Sequence, residues 1–530
     1  MSASRAIDVP RALPAEVDVI VVGSGAAALT GAFAAANSGL CVLVLEKSSY
    51  LGGTCAYSGG AMWLPGNHIL ERDGVEDDVE TGLTYFRATV GDRTPRDLQE
   101  AYVRTGPEMV AFLADEAGFL ADKMSFPDYF EAPGRAKPTG RAIGPTPIPS
   151  ARLGAALDVL RPTAAADKFG RDVARAELHG GQSLIAQLLL ALDGCADVDI
   201  RIECPMDSLV YENGRVCGVR AGRAEIVARL GVIVAAGGYD ADDARRRSLQ
   251  GIAGGGAAST PVGINTGDAL DAFTAVGADI DLLEEAWWAP GIVMPTGRAT
   301  FLPIVQGGIF VGTDGRRFAD ESLPYDRLGH ELLEQVHRLG ADATFWWVFD
   351  SRDAGAPGIC EPPLVLEEFT ADSEWFHTAE TVKELAGKLG IDADTLAATV
   401  ERFNKGAADG RDDDFGRGID DFGRFFGTGN GSNPALIPLE IGPFRAMRLV
   451  LSDLGTKGGA RIGTDGEVLR PDGQPIPGLY AAGGSAASVA GHVYPGPGTP
   501  LGSGMVFAYR AAKAMARARG GARTPEVATR

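Results

Sequence analysis

Three tyrosines sit in unusual settings. Tyr129 lies in Phe126-Pro-Asp-Tyr-Phe130, inside a stretch from 126 to 180 rich in Pro, Gly and Arg. Tyr325 lies in Arg317-Phe-Ala-Asp-Glu-Ser-Leu-Pro-Tyr-Asp326, and Tyr494 opens Tyr-Pro-Gly-Pro-Gly498. A phenol ordinarily titrates near pH 10, so it acts as a base only beside a group that stabilises phenolate. A second tyrosine hydroxyl can be that group. Tyr494 can donate a hydrogen bond, and Gly498, with no side chain, can offer its backbone N–H alongside. A loop-rich segment as long as 126–180 often lines a site. Taken singly, each tyrosine reads as structural. Rival chemistries lack their residues: there is no HExxH, no paired Cys/His cluster and no GxSxG elbow, and the histidines (68, 179, 330, 337, 377, 492) are scattered. No metal site is expected.

The element that must position such a site runs from Asp18 to Lys47. Val19–Val22 suits a buried parallel strand. Gly23-Ser24-Gly25-Ala26-Ala27-Ala28 follows, then an alanine-rich helix to Ala36, a stop at Gly39, and a second apolar strand, Cys41–Leu45, ending in Glu46. Gly23 permits the sharp turn, and Gly25 lets backbone N–H groups approach a pyrophosphate. The helix N-terminus faces the same charge, and Glu46 arrives where a ribose hydroxyl needs an acceptor. A lone GxGxxG is weak evidence; strand, helix, second strand and terminal acid in register make it strong. The uncharged run Val19–Ala36 is not a membrane span, because the glycine turn splits it and Asp18 abuts it.

The chain continues Lys47-Ser-Ser-Tyr-Leu-Gly52-Gly53-Thr54-Cys-Ala-Tyr-Ser58-Gly59-Gly60. This second glycine cluster resembles that of flavoproteins of the glutathione-reductase-like and fumarate-reductase-like kind, which implies FAD. No second GxGxxG follows a strand, so electrons are expected to leave to an acceptor other than a nicotinamide.

Residues 61–125 carry helical patterns, such as Asp97–Ala117, and Met206–Val219 reads as a hairpin turning at Glu212-Asn-Gly-Arg215. Gly231–Gly238 is a buried strand ending in small residues, with Ala236 and Gly237 expected against the cofactor. From about Ala286 the character changes, and tryptophans 287, 288, 346, 347 and 375 cluster there. They read as core and apolar walls of an inserted domain. Near Ile441 the first domain resumes, with a strand into Gly483-Gly484 and a final helix, Met505–Ala516, approached through Pro500 and Leu501. That helix N-terminus can point at the flavin pyrimidine edge. The expected fold is α/β: a Rossmann-like FAD-binding domain (1–285 and 445–516) with an inserted α+β catalytic domain (286–444) and a disordered tail (517–530).

The net charge of −21 in 530 residues argues against nucleic acid and anionic membrane surfaces as partners. Six cysteines (41, 55, 195, 204, 217, 360) form no CxxC pair and read as reduced thiols of a cytoplasmic protein. The first 17 residues have no apolar core, so no secretory signal is expected.

Flavin oxidation of a C–C bond next to a ketone needs a base for the α proton, donors for the carbonyl oxygen, and a flavin to accept hydride from the β carbon. The motif set resembles the 3-ketosteroid Δ1-dehydrogenases, a branch of the fumarate-reductase-like flavoproteins. The matching stretches are VVGSGAAALTGA, LEKSSYLGGTCAYSGGAMWLPG, FPDYFEAPGR, AAGGYD, FADESLPYDRLG, VLSDLGTKGG, GLYAAGGSAAS and YPGPGTPLGSGMVFAYRAA, spread over roughly 15 to 515. The resemblance implies that Tyr325 abstracts the C2 proton, that Tyr129 assists it, and that Tyr494 and Gly498 bind the C3 oxygen. Hydride from C1 goes to FAD, and an external quinone- or dye-like acceptor takes the electrons. Gly484, where the family often has Asn, and His492-Val493 before Tyr494 depart from the pattern and bear on substrate preference. The rivals are a 3-ketosteroid Δ4-dehydrogenase, a fumarate-reductase-like enzyme, for whose dicarboxylate clamp Arg445, Arg448 and His492 exist but no pattern joins them, and a non-catalytic flavoprotein-like binding module.

Overall fold

Strand Glu16–Val22 lies between Val42–Leu45 and Ala224–Val234, parallel to both. Its residues 17–22 are all buried, which is why they show no polar alternation. The structure is a computed structural model that describes residues 12–252, 259–340, 342–352 and 357–521. The sheet continues through Val198–Arg201 on one side and Pro475–Ala481 and Glu467–Leu469 on the other. The expected hairpin is present as Ser208–Glu212 and Arg215–Ala221, attached to Ala224–Val234. Asn213 and Gly214 both have positive φ (50° and 78°), the conformation a two-residue hairpin loop demands.

The alanine-rich helix Ala26–Asn37 packs against the last helix, Thr499–Gly521. Small residues set that approach: a Cβ on Gly31 would stand 3.2 Å from the Ala508 Cβ. The last helix starts at Thr499 rather than Met505, because Pro500 costs no hydrogen bond in a first turn. It also runs to Gly521, past the expected boundary at 516; residues 522–530 of the expected tail lie outside the described residues.

A second, antiparallel sheet has the order Ile309–Val311, Phe345–Phe349, Phe444–Thr456, Ala286–Val293, Ala299–Val305, Gly358–Glu361, with Phe376–Ala379 also pairing to Phe444–Thr456. Trp288, Trp346 and Trp347 are buried in it as core. Helix Tyr325–Leu339 lies on strand Ala286–Val293, and it approaches so closely that a Cβ on Gly329 would meet the Trp288 carbonyl carbon at 2.5 Å. Among the described residues no helix is long and apolar enough to cross a membrane.

Candidate active site

One cavity of about 530 Å³ runs from the glycine turn after the first strand to the second sheet. Every expected cofactor residue lines it except Ala26 and Gly52. Those two are spent internally: the Ala26 N–H points at Cys55 Sγ (3.3 Å), and the Gly52 N–H donates to Ser24 Oγ (3.0 Å). Gly23 sits at φ 104°, and a Cβ there would lie 2.3 Å from the Ala235 oxygen, so no other residue fits the turn. The buried Glu46 carboxylate accepts from Ser24 Oγ (2.5 Å) and the Ser48 N–H (2.8 Å), and still presents lone pairs to the cavity. A Cβ on Gly53 or Gly59 would meet nothing within 4 Å. Bare backbone therefore faces open cavity at these positions, the cradle an extended dinucleotide needs.

Sequence reasoning missed three polar residues at this end. Asn265 Nδ2 bonds both Asp240 oxygens (3.2 Å) and Thr54 Oγ1 (3.3 Å), and Thr456 Oγ1 accepts the Tyr239 N–H. Burial pushes the Asp240 carboxyl up to about 7, with nearby Asp453 adding to it. Asp240 and Thr456 lie within AAGGYD and VLSDLGTKGG, so a signal existed; Asn265 carried none.

At the other end the three tyrosines meet. Tyr129, Tyr325 and Tyr494 pack edge-to-face with ring centroids 5.3 to 5.5 Å apart, although 365 positions separate the first from the last. All three line the cavity, as does Gly498. Phe301 packs on Tyr325 (4.9 Å) and Trp287 on Tyr494 (4.7 Å). The register of strand Ala286–Val293 slips at Trp287, and such a bulge re-aims a side chain, here into the cavity. Arg445, Arg448 and His492 do not line the cavity. Arg448 stacks on Trp346, and His492 pairs with Glu285 and Arg93.

A family model described as an FAD binding domain matches residues 18–501. The 3-oxosteroid 1-dehydrogenase of Mycobacterium tuberculosis is 36% identical, with 94% of this chain and 98% of that protein aligned. The chain belongs to the 3-ketosteroid Δ1-dehydrogenase family. The crystal structure of 3-ketosteroid Δ1-dehydrogenase from Sterolibacterium denitrificans with 1,4-androstadiene-3,17-dione superposes with a TM-score of 0.87 at 31% identity, covering 95% of this chain and 100% of that one. The 4-oxocyclohexanecarboxylate 2-dehydrogenase of Sinomonas cyclohexanicum is 35% identical over 94% of this chain and 92% of that protein. The fold is therefore the fumarate-reductase type of FAD-binding α/β fold, the cofactor is FAD, and the protein is an FAD-dependent oxidoreductase acting on CH–CH bonds.

The family's tyrosines are held by buried polar anchors outside the cavity. The Tyr129 N–H donates to the Pro495 oxygen (2.9 Å), and Tyr85 Oη donates to the same oxygen (2.7 Å), so the loops of Tyr129 and Tyr494 are tied together. Asp128, fully buried, accepts from Trp63 Nε1 (2.8 Å) and Arg141 Nε (3.1 Å). Glu321, four residues before Tyr325, takes hydrogen bonds from Arg317 (2.7 Å), Arg417 (3.1 Å) and the Phe310 N–H (2.9 Å). Lys457, 1% exposed, donates to the His492 (2.8 Å) and Val493 (3.3 Å) oxygens and stands 3.6 Å from Asp326 and 4.5 Å from the Trp287 ring. One buried cation thus braces the residues before Tyr494 against the residue after Tyr325. Gly498 has no latitude: at φ 84°, its Cβ would lie 2.1 Å from the Ala61 carbonyl carbon.

Two details differ from the sequence expectation. The Gly498 N–H donates to Tyr494 Oη (3.1 Å), so without a ligand the two expected donors satisfy each other. The pocket also raises the Tyr325 phenol, by burial first and by Tyr129 and Tyr494 next, rather than lowering it. Burial likewise pushes Tyr494 up to about 12, against the opposing pull of Tyr325 and the Gly498 amide, which keeps it protonated as a donor. Tyr129 is raised as well, and its hydroxyl is buried without a hydrogen-bond partner among the described residues.

Proposed function

We propose that this protein introduces a 1,2 double bond into 3-ketosteroids. The observation that carries the reading is the convergence of Tyr129, Tyr325, Tyr494 and Gly498 on the cavity that also exposes the dinucleotide-binding glycines. In this reading Tyr325 takes the C2 proton, Tyr129 shares the developing phenolate charge, and Tyr494 donates to the C3 oxygen. The Gly498 amide polarises the Tyr494 hydroxyl, or turns to the ketone oxygen itself. Gly23 to Ala27 and Glu46 hold the pyrophosphate and ribose, with the bare backbone at Gly53 and Gly59 against the extended cofactor. FAD held there would supply the hydride acceptor for C1, with a quinone- or dye-like acceptor as the external oxidant. The apolar walls (Phe301, Pro303, Ile304, Ile359, Phe426) suit a fused-ring substrate. Among the described residues no Arg or His lines the cavity, which disfavours a dicarboxylate clamp. A domain division near 286 and a reducing cytoplasmic setting for six unpaired cysteines belong to the same reading, but the return to the first domain falls after strand Phe444–Thr456 rather than at 444, because that strand pairs inside the second sheet.

The test is anaerobic. Androst-4-ene-3,17-dione is expected to bleach the flavin absorbance and to emerge two hydrogens lighter, with the new alkene at C1–C2, while succinate leaves the colour intact. A protein that keeps its FAD, yet is bleached by no 3-ketosteroid, would overturn the reading.

A further inference from the structure

Charge is distributed unevenly around the cavity. Among its described lining residues the only cation is Lys47, which lies beside Glu46 at the dinucleotide end and is held by Asp268 at 2.7 Å. At the far end the wall is strand Gly358–Glu361, the edge of the second sheet. Strand alternation turns Ile359 and Glu361 towards the cavity and buries Cys360 on the other face. Glu361 is paired in register with Phe301, the residue whose ring touches Tyr325. Its carboxylate thus stands about one strand spacing, ~5 Å, beyond the side chain that flanks the expected base. It makes no hydrogen bond or ion pair with a described residue, and it is exposed along the strand edge, where its carboxylate is free to meet a ligand.

We propose that Glu361 is a specificity-determining residue for the end of the substrate remote from the ketone: it favours neutral substrates carrying a hydroxyl donor there and rejects those carrying a carboxylate. The inference rests on the ketone-desaturase reading of the site. A hydroxyl donating to an ionised carboxylate makes a charge-assisted hydrogen bond. A second carboxylate within about 8 Å, at the effective dielectric near a protein surface, is disfavoured by roughly 30-fold. Among the described residues no free cation lines the cavity to offset it.

The experiment compares the FAD-loaded wild type with Glu361→Gln and Glu361→Lys at pH 8. Four substrates are used: androst-4-ene-3,17-dione, the matching 17-alcohol, the matching 17-carboxylate, and 4-oxocyclohexanecarboxylate. In the wild type, kcat/KM is expected to fall in the order alcohol, diketone, acid. The acid should trail the diketone by roughly 30-fold, mostly in KM, because residue 361 lies away from the reacting carbons. Glu361→Gln should shrink that gap to a few-fold and erase the advantage of the alcohol, and Glu361→Lys should make both acids the better substrates. Acid-to-diketone ratios that stay the same in all three proteins, with the diketone turning over, would overturn the role of Glu361 alone. A wild type that desaturates none of the steroids would overturn the underlying reading together with it.

Discussion

Tyr494→Phe removes one oxygen and leaves the ring that Trp287, Tyr129 and Tyr325 pack against. That oxygen accepts the Gly498 N–H at 3.1 Å and is the expected donor to the ketone. Charge gathers on the ketone oxygen as the α proton leaves, so a donor there acts more strongly on the transition state than on the bound substrate. Removing one such donor costs about 3–4 kcal/mol, or 10²–10³ in rate. The same change strands the Gly498 amide, at about 1–3 kcal/mol for an unsatisfied buried donor, which falls on stability or is relieved by a water. The two effects separate in stopped-flow reduction of the flavin by androst-4-ene-3,17-dione, which isolates the step before reoxidation. The limiting reduction rate is expected to fall at least about 100-fold, with weaker substrate binding, while FAD stays bound. A limiting rate within a few-fold of wild type would refute the assignment of Tyr494 to the carbonyl. Tyr129→Phe is the useful contrast. Its hydroxyl meets no well-formed hydrogen-bond partner among the described residues and faces the Tyr325 phenol, so a loss of rate at unchanged stability reports on that phenol.

Tyr325→Phe should abolish turnover while FAD remains bound; activity within a few-fold would remove it as the base. If Tyr325 acts as phenolate, as proposed, then because burial raises its phenol above the ordinary value of about 10, kcat/KM should rise with pH, about tenfold per unit between pH 7 and 9. A flat profile over that range contradicts a tyrosine base. Lys457→Met takes from the buried Asp326 one of its two cationic neighbours among the described residues, the other being His330 at 3.7 Å, and leaves the His492 and Val493 oxygens without their donor; it should destabilise the protein by about 3 kcal/mol, as breaking a buried ion pair does. An unchanged thermal or denaturant midpoint would mean that the brace between the Tyr325 and Tyr494 segments carries no weight. Glu46→Ala withdraws the proposed ribose acceptor and also frees Ser24 and the Ser48 amide, so the protein should purify largely colourless. Normal flavin content would refute that role.

The dinucleotide half of the site was legible because its signals are local. A β-branched run, two glycines, an alanine helix and a terminal acid lie within thirty residues, and each has a conformational reason. The Asn213-Gly214 turn was legible for the same cause. The meeting of Tyr129, Tyr325 and Tyr494 was not: no periodicity relates the three positions, and only resemblance to a family brought them together. Burial also defeated the expectation for Tyr325, since a sequence shows neighbouring phenols but not the loss of water around them. Lys457 was invisible as a brace because its partners are backbone oxygens 35 and 36 residues away. Glu361 reads as one acid among many until the strand register places it over Phe301.

The two ends of the cavity differ in what fixes them. Around Gly498 the limit is set by main chain against main chain, and even a methyl group has no room. Opposite, the wall is a four-residue border strand that, among the described residues, pairs with one neighbour, so its cavity-facing side chains can be exchanged without disturbing a second ladder. A lineage built this way can keep its desaturation chemistry while trading one molecule for another, and laboratory evolution towards new ketones should collect its gains along Gly358–Glu361 long before it touches the glycine-proline turn.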